Sequence, residues 1–236
     1  MADLLVDASL REIPQWYTGK YTKSKLLERS YEVVDFFPDL GQRISEMSVD
    51  TFQTLVLRTG GSPDFKQTMF RDILLQDLLS ETRLDIQGYY PVVVFLDGEY
   101  WGVYAVRTRY DEHYFQAYYG IALQDLIVLR DNSELIVGDP DDVHLFDEML
   151  RFIDESYLTN ENLVSDTLTD NSKYEVIASM MEIDNFIDFM ITAIFINNTD
   201  WMGNNLYYWR TINATSEDPL LYGNDGKWRW MVNDLD

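Results

Sequence analysis

Residues 90 to 106 read Tyr90-Pro91-Val92-Val93-Val94-Phe95-Leu96-Asp97-Gly98-Glu99-Tyr100-Trp101-Gly102-Val103-Tyr104-Ala105-Val106. Two β-branched and aromatic runs flank Asp97-Gly98, and an Asp-Gly pair tolerates the positive φ angles that a tight hairpin turn needs. The stretch therefore predicts two antiparallel strands. Upstream, residues 51–57 predict a further strand, which runs into a glycine turn at Gly60-Gly61.

Helices are predicted on both sides of this hairpin. Asp64 or Thr68 is expected to cap a helix that reaches about Leu79, and the spacing of its apolar residues predicts one buried face. These apolar residues are Phe70, Ile73, Leu74 and Leu78. Further helices are predicted at 111–119, 141–155, 161–168 and 174–196, a short buried strand at 125–130, and two last strands at 206–210 and 228–232.

This order of elements predicts an α+β fold. The chain has no internal repeat, low-complexity tract or Pro/Gly/Ser linker, so we expect one domain over residues 1–236. Within it, a β-rich lobe is expected at about 1–135. A mainly helical lobe with a final β-hairpin is expected at about 136–236.

The charge composition of the chain indicates which kinds of partner it can bind. The chain carries 41 acidic and 18 basic residues, a formal net charge of -23. This charge disfavours nucleic acid and anionic membranes, and it attracts divalent cations and basic proteins. Acidity that only keeps the protein soluble remains an alternative. The longest apolar run, residues 189–196, is far shorter than the roughly 20 residues of a membrane span, so no membrane insertion is expected.

The sequence lacks the residues that several classes of enzyme need for catalysis. With no cysteine and two histidines without a metal-spaced partner, zinc catalysis is not expected. No Gly-x-Ser-x-Gly motif is present, which disfavours a serine hydrolase. The pair Asp184 and Asp188 could form a glycosidase dyad or a calcium site, but their spacing of one helical turn favours a solvated helix face. The abundant aromatic residues could stack on sugars, although core and hairpin pairs are the simpler interpretation.

A cluster of short polar side chains follows the long apolar helix: Asn197-Asn198-Thr199-Asp200-Trp201-Met202-Gly203-Asn204-Asn205. Asp200 and Asn205 are five residues apart, the spacing at which the protein-kinase catalytic loop places a base and a metal ligand. An Asx-rich turn that satisfies its own backbone is the alternative. Further on, the apolar run 228–232 is followed by the carboxylates Asp234 and Asp236, and Mg²⁺ is commonly held by one or two carboxylates. The order Asp200, Asn205, Asp234 thus matches base, metal Asn and metal Asp.

Three arginines are candidates for binding phosphate: Arg58, Arg71 and Arg107. Arginine offers forked donors that suit phosphate oxygens, and the glycines after Arg58 let backbone N–H groups approach closely. For each there is a structural alternative. Arg71 could pair with carboxylates of its own helix, and Gly60-Gly61 could be only a turn.

Successive motifs of the chain resemble the CotH (spore coat protein H) kinase family from about residue 50 to the end. They are Leu57-Arg58-Thr59-Gly60-Gly61-Ser62, Phe70-Arg71-Asp72, residues 92–104, Asp184-Asn185-Phe186-Ile187-Asp188, residues 198–205, Lys227-Trp228-Arg229-Trp230 and Asp234-Leu235-Asp236. The resemblance implies an atypical protein-kinase-like fold and the use of ATP with Mg or Mn. It also implies phosphorylation of Ser or Thr on secreted, spore-coat or cell-surface proteins, with a basic protein as substrate. By position, Asp200 resembles the catalytic Asp, Asn205 and Asp234 resemble metal ligands, and Asp236 a second carboxylate ligand.

The sequence departs from the family pattern in two places. Where the family reads Arg-Glu-Arg, this chain has Arg107-Thr108-Arg109, so an acidic partner for a phosphate-binding cation is expected to be missing. The chain ends at Asp236, where we expect further residues behind the metal site, which indicates a C-terminal truncation. These departures keep an inactive pseudokinase or interaction domain open as the alternative. The first residues lack a basic segment followed by an apolar one, so no signal peptide is expected here, although the resemblance favours an extracytoplasmic location.

Overall fold

A computed structural model describes residues 4–7, 31–32, 51–60, 68–154, 170–198, 201, 203–213 and 222–235. The strands among them are β1 (Leu4–Asp7), β2 (Tyr31–Glu32), β3 (Thr51–Phe52), β4 (Leu55–Arg58), β5 (Tyr89–Leu96), β6 (Glu99–Thr108), β7 (Leu126–Arg130), β8 (Glu134–Val137), β9 (Tyr207–Thr211) and β10 (Arg229–Met231). The α-helices are α1 (Arg71–Leu78), α2 (Glu112–Tyr119), α3 (His144–Ile153), α4 (Asp170–Met180) and α5 (Ile183–Phe195), with 3₁₀ helices at Leu123–Asp125 and Pro140–Val143. The fold is α+β, as the sequence predicts.

The chain forms two compact units. Unit 1 contains Met1–Leu78, Gln87–Tyr118 and Asp234–Asp236. Unit 2 contains Leu79–Ile86 and Tyr119–Asn233. The prediction of one domain with lobes that divide near residue 135 stays a prediction.

Unit 1 contains a four-stranded antiparallel sheet with the strand order β1-β5-β6-β4. The predicted hairpin is confirmed as β5 and β6. Asp97 and Gly98 connect them with φ angles of 53° and 84°, the two positive values that a type I′ turn requires. Val94 pairs with Gly102 and Phe95 with Tyr100, so the ladder has a β-bulge at this point.

Helix α1 buries a different face from the predicted one. Phe70, Leu74 and Leu78 are 54%, 47% and 64% exposed, whereas Asp72 and Gln76 are each only 1% exposed. The prediction of an apolar buried face is therefore wrong for these three residues. The physical reason is that Asp72 forms an ion pair with Arg107 on the sheet, so the polar side of the helix faces the interior. Of the two predicted caps, Asp64 lies outside the described residues and Thr68 lies before the start of the helix at Arg71.

Helix α2 agrees with its prediction. Asp111 Oδ1 accepts the backbone N–H groups of His113 and Tyr114, both at 3.1 Å. These are the donors that a helix leaves unsatisfied at its N-terminus, so Asp111 is the N-cap. Gly120 ends the helix with a φ of 67°, which glycine adopts without steric cost.

Unit 2 contains a second antiparallel sheet with the order β10-β9-β7-β8. Its central strand β7 is buried, as the apolar run at 125–130 predicts, and β9 supplies the buried Tyr208 and Trp209. The predicted pairing of the last two strands is confirmed by β9 and β10, which here form part of a larger sheet.

The predicted helix at 174–196 is interrupted. Met181 forms a β-bridge with Trp228. The Trp228 N–H donates to Met180 O, and the Glu182 N–H donates to Trp228 O, both at 2.9 Å. Because these bonds replace helical ones, the segment divides into α4 and α5. The predicted helix at 161–168 lies outside the described residues, and 141–155 corresponds to a 3₁₀ turn followed by α3. In the described parts of the chain, no helix combines the length and apolar character needed to cross a bilayer.

Candidate functional site

Two arginines lie on one face of the unit 1 sheet. In the pairing of β4 with β6, Arg58 is opposite Ala105 and Arg107 is opposite Val56. Residues directly opposite each other share a face, and so do residues two apart on one strand. Arg58 and Arg107 are therefore diagonal neighbours on the same face.

Asp72, in the first turn of α1, contacts both arginines. Its carboxylate accepts a hydrogen bond from Arg107 Nη1, and Arg58 Nη1 lies 3.5 Å from Asp72 Oδ2. The side chains of Arg107 and Asp72 are only 3% and 2% exposed. Buried charges are tolerated when opposite charge and hydrogen bonds compensate them. Asp72 is thus the carboxylate that lets Arg107 lie in the interior.

Neutral donors hold the same carboxylate in place. Gln76, one turn further along α1, approaches both oxygens of Asp72 with Nε2, at 3.2 and 3.3 Å. The backbone N–H of Leu235 donates to Asp72 Oδ1 at 2.7 Å. Asp72 therefore joins α1 to the sheet and to the last described residues of the chain.

Thr108 does not leave Arg107 without an acidic partner. Its Oγ1 accepts the Gly88 N–H at 2.9 Å, and its carbonyl accepts Gln87 Nε2 at 2.9 Å. Thr108 thus ties the end of β6 to the segment before β5. The expectation of a missing acidic partner is wrong for Arg107, because Asp72 supplies the carboxylate from a helix far away in sequence.

Asp234 joins this cluster from the other end of the chain. Arg58 Nη2 donates to Asp234 Oδ1, and the two side chains are 23% and 34% exposed. The backbone of Asp234 is left-handed, with a φ of 55°, a conformation that Asp and Asn adopt more readily than most residues. We call Arg58, Asp72, Arg107 and Asp234 the Asp72 cluster.

The Asp72 cluster has a buried half and an accessible half. Asp72 and Arg107 form the buried ion pair, whereas Arg58 and Asp234 form a partly exposed one. An arginine fork suits phosphate oxygens, and a carboxylate is a hard ligand for Mg²⁺ or Mn²⁺. The accessible half therefore presents one arginine and one carboxylate to solvent, whereas the buried half links α1 to the sheet.

Asn205 belongs to unit 2, where the next residue fixes its position. The Leu206 N–H donates to Asp131 Oδ1 at 3.0 Å, and the Asp131 N–H donates to Leu206 O at 2.7 Å. The Tyr208 hydroxyl donates to Asp131 O at 3.1 Å and accepts the Ser133 N–H at 3.0 Å. Burial raises the pKa of Tyr208 above its ordinary value. Asn205 has a φ of 60°, a left-handed conformation that Asn, like Asp, adopts more readily than most residues.

The remaining predicted site residues are placed as follows. Asp200, the predicted base, and Asp236, the predicted second carboxylate ligand, lie outside the described residues. Arg71 is exposed at the first residue of α1, whereas Asp72 beside it is buried. The roles of all these residues stay predictions.

The metal assignment rests on ligand chemistry. Within the described ranges, no group of three or more Asp, Glu or His side chains is close enough to hold a metal ion. Asp234 and Asn205 offer carboxylate and amide oxygens, which are hard ligands of the kind that Mg²⁺ and Mn²⁺ take. By ligand type, each of the two side chains taken by itself suits a divalent metal, and their joint role as ligands stays a prediction.

The roles of Asp72 and Gln76 were missed by sequence reasoning, although Asp72 lies in the motif Phe70-Arg71-Asp72. In α1, Asp72, Ile73 and Gln76 occupy one helical face at positions i, i+1 and i+4. The sequence signal was present in Arg107, a charged residue at the end of a strand that is otherwise apolar. A charge at such a position requires a carboxylate, and Asp72 is one of the acidic residues of the neighbouring predicted helix.

A comparison with known protein families agrees with the motifs. The sequence model of the CotH kinase protein family matches residues 17–236. A search of curated proteins finds no match. The family match covers nearly the whole chain, including the Asp72 cluster and the predicted positions 200 to 236.

Proposed function

The chain belongs to the CotH kinase family, and we propose that it transfers the γ-phosphoryl group of ATP to Ser or Thr hydroxyls of a protein. The family supports a kinase-like enzyme. The acceptor residue, ATP and the metal belong to our proposal.

The Asp72 cluster is the observation that carries this proposal. Arg58 and Arg107 lie side by side on the sheet, and Arg58 reaches the predicted metal ligand Asp234. A kinase needs a cation for the phosphates and a carboxylate for the metal, and this arrangement offers both in one unit. A helix carboxylate that pairs with a cation of the sheet is also a feature of protein kinases.

In the proposed reaction, the acceptor oxygen forms a bond to the γ-phosphorus while the bond to the β-phosphate oxygen breaks and ADP leaves. Asp200 orients the hydroxyl and accepts its proton. Asn205 and Asp234 would hold the metal, with Asp236 as a further ligand, and the metal would neutralise charge on the phosphates. The proposed sources of positive charge for the phosphates are Arg58, Arg71 and Arg107. Of the two arginines in the Asp72 cluster, Arg58 is the more accessible.

The acceptor is proposed to be a basic protein. The net charge of -23 creates a long-range field that concentrates cationic chains near the surface and raises their rate of encounter. This attraction weakens as salt is added, because added ions screen exposed charges over about 10 Å at 0.1 M. Phosphorylation of a basic Ser-rich protein should therefore slow with ionic strength.

The decisive experiment measures transfer of label from γ-labelled ATP, with Mg²⁺ or Mn²⁺, to a basic Ser-rich protein and to the enzyme itself. Wild type is compared with Asp200→Asn, which keeps the size of the side chain but cannot accept the proton. Asp147→Asn, which neutralises an exposed carboxylate of α3, is the matched control. We expect label with wild type and Asp147→Asn, and a loss of at least about 100-fold with Asp200→Asn.

The other outcomes are equally informative. Equal activity of Asp200→Asn and wild type removes Asp200 from the mechanism. Absence of label with every protein, while ATP and Mg²⁺ still raise the melting temperature, favours the inactive pseudokinase. Absence of both label and stabilisation contradicts the nucleotide proposal itself.

A further inference from the structure

The carboxylate of Asp234 already has a cationic partner. Arg58 Nη2 donates to Asp234 Oδ1, and both side chains are partly exposed, at 23% and 34%. A guanidinium and a divalent metal both seek the same carboxylate oxygens. A metal that binds Asp234 must therefore compete with Arg58.

Arg58 can leave this position at little cost to the buried charges. Its contact with Asp72 is a long one, at 3.5 Å. Asp72 keeps the ion pair with Arg107 and the Leu235 N–H at 2.7 Å when Arg58 moves. No buried carboxylate is left without partners, so the usual large penalty for breaking a buried ion pair does not apply.

We propose that Arg58 is a built-in competitor of the divalent metal at Asp234. This inference rests on the proposed function, in which Asp234 is a metal ligand. Through its two contacts, Arg58 neutralises Asp234 and links it to Asp72. Metal binding displaces the guanidinium, which becomes available to the phosphates of a nucleotide.

The proposal has a direct consequence for binding of metal alone. Without nucleotide, the metal must break the ion pair of Arg58 with Asp234 and no phosphate is present to replace it, so this ion pair weakens metal binding. Removing the positive charge of Arg58 should strengthen it. An arginine remote from the metal ligand would have a much smaller effect, because exposed charges more than about 10 Å apart are largely screened at 0.1 M salt.

The test is a titration with Mn²⁺ alone, followed by electron paramagnetic resonance of free Mn²⁺. Arg58→Gln keeps a polar side chain but removes the charge, and we expect it to bind Mn²⁺ about tenfold more tightly than wild type. Arg109→Gln removes the same charge from an exposed position of unit 1 and should match wild type. Asp234→Asn should bind Mn²⁺ at least about tenfold more weakly.

These variants separate the inference from the proposed function. If Asp234→Asn binds Mn²⁺ as wild type does, Asp234 is not a metal ligand and the metal part of the proposed function fails. If Asp234→Asn weakens binding but Arg58→Gln does not strengthen it, the metal site stands and the competition is overturned. A gain in both Arg58→Gln and Arg109→Gln indicates a general charge effect and also overturns it.

The fold of the variants is checked by circular dichroism and thermal melting. If Arg58→Gln does not fold, Arg58→Lys replaces it in the same titration. Lysine keeps the charge but loses the fork that reaches Asp72 and Asp234 together. We then expect a gain of a few-fold over wild type, and an unchanged or reduced affinity for Mn²⁺ contradicts the proposal.

Discussion

Among the residues that the structure describes, each unit buries one arginine, but the two arginines are held in different ways. Arg107 in unit 1 has a side chain that is 3% exposed, and the side chain of Arg229 in unit 2 is 2% exposed. In both, the buried Nε makes no hydrogen bond within the part of the chain that the structure describes. Each therefore depends on a carboxylate that contacts the other guanidinium nitrogens.

Arg229 is held mainly by its sequence neighbours. Its Nη1 and Nη2 donate to the two oxygens of Asp225 at 2.8 and 2.7 Å, four residues earlier. Its guanidinium lies 4.5 Å from the ring centre of Tyr222 and 5.6 Å from that of Trp209. A forked pair covered by aromatic faces is a stable arrangement. It ties Tyr222 and Asp225 to the first residue of β10.

Arg107 is held by residues that are distant in sequence. Its carboxylate Asp72 is 35 positions away, and the cluster extends to Arg58 and to Asp234, which is 176 positions from Arg58. Part of this network is exposed. The difference shows that a buried arginine alone does not indicate function, whereas a network that links distant segments and opens to solvent identifies a candidate site.

The largest effect is expected at the buried half of the Asp72 cluster. Asp72→Asn preserves the shape of the side chain but leaves the charge of Arg107 without its nearest counter-charge. Breaking a buried ion pair in this way costs about 3–5 kcal/mol of unfolding free energy. Urea denaturation of wild type and variant measures the change.

Asp77→Asn is the matched control for Asp72→Asn. Asp77 lies on the same helix but on its exposed side, where a substitution changes stability by about 0.5 kcal/mol or less. Equal small losses in both variants contradict the view that Asp72 compensates a buried charge. Equal large losses mean that any change of charge on α1 is damaging.

A smaller effect is expected for the corresponding carboxylate of unit 2. Asp225 is more exposed than Asp72, with 40% of its side chain accessible. Asp225→Asn should therefore cost about 2 kcal/mol, in the range of hydrogen bonds to a charged group. Glu182 remains near Arg229 at 3.6 Å and limits the loss.

The effect of Asp225→Asn on stability should also depend on pH. Partial burial would raise the pKa of Asp225, but the hydrogen bonds and charge of Arg229 outweigh burial and lower that pKa below its ordinary value of 3.8. A lowered carboxyl pKa stabilises the fold at pH values above the unfolded pKa, and the stabilisation is lost as pH falls through the folded pKa. The difference in melting temperature between wild type and Asp225→Asn should therefore be constant above about pH 5 and shrink below pH 4. A constant difference down to pH 2 contradicts this account.

The same contrast explains how much could be predicted from sequence. Local signals succeeded: the Asp-Gly turn of the hairpin, Gly120 after α2 and the apolar run of β7 all lie where their patterns predict. These elements are determined by neighbouring residues. The face of α1 was mispredicted because its partner, Arg107, is on a strand 35 residues away from Asp72.

The candidate site could likewise be predicted only in part from the sequence. Sequence reasoning selected Arg58 and Arg107 for phosphate and Asp234 for metal. It did not reveal that Arg58 and Asp234 contact each other. Pairing between residues 176 positions apart depends on strand register and on where the chain end lies. Neither can be read from local periodicity. The carboxylate Asp72 was hidden for the same reason.

The smallest expected effect concerns the aromatic cover of Arg229. Burial raises the pKa of Tyr222 to about 12, against an opposing effect of the nearby Arg229 charge. A phenol with a raised pKa keeps its proton in the folded state after the unfolded chain begins to lose it near pH 10. Tyr222 therefore contributes stability that is present below pH 10 and is lost as pH rises toward 12.

Tyr222→Phe tests this point because it keeps the ring over Arg229 and removes only the hydroxyl. At pH 7 the free energy of unfolding should change by no more than about 0.5 kcal/mol, because the buried hydroxyl makes no hydrogen bond with the described residues. Between pH 9 and 12 the melting temperature of the variant should fall less steeply than that of wild type, while Tyr100→Phe, at an exposed position of the hairpin, should follow wild type. If Tyr222→Phe also follows wild type, the hydroxyl is accessible to water. The cover over Arg229 is then open, and the contrast between a sealed arginine in unit 2 and an accessible cluster in unit 1 is weaker than the contacts indicate.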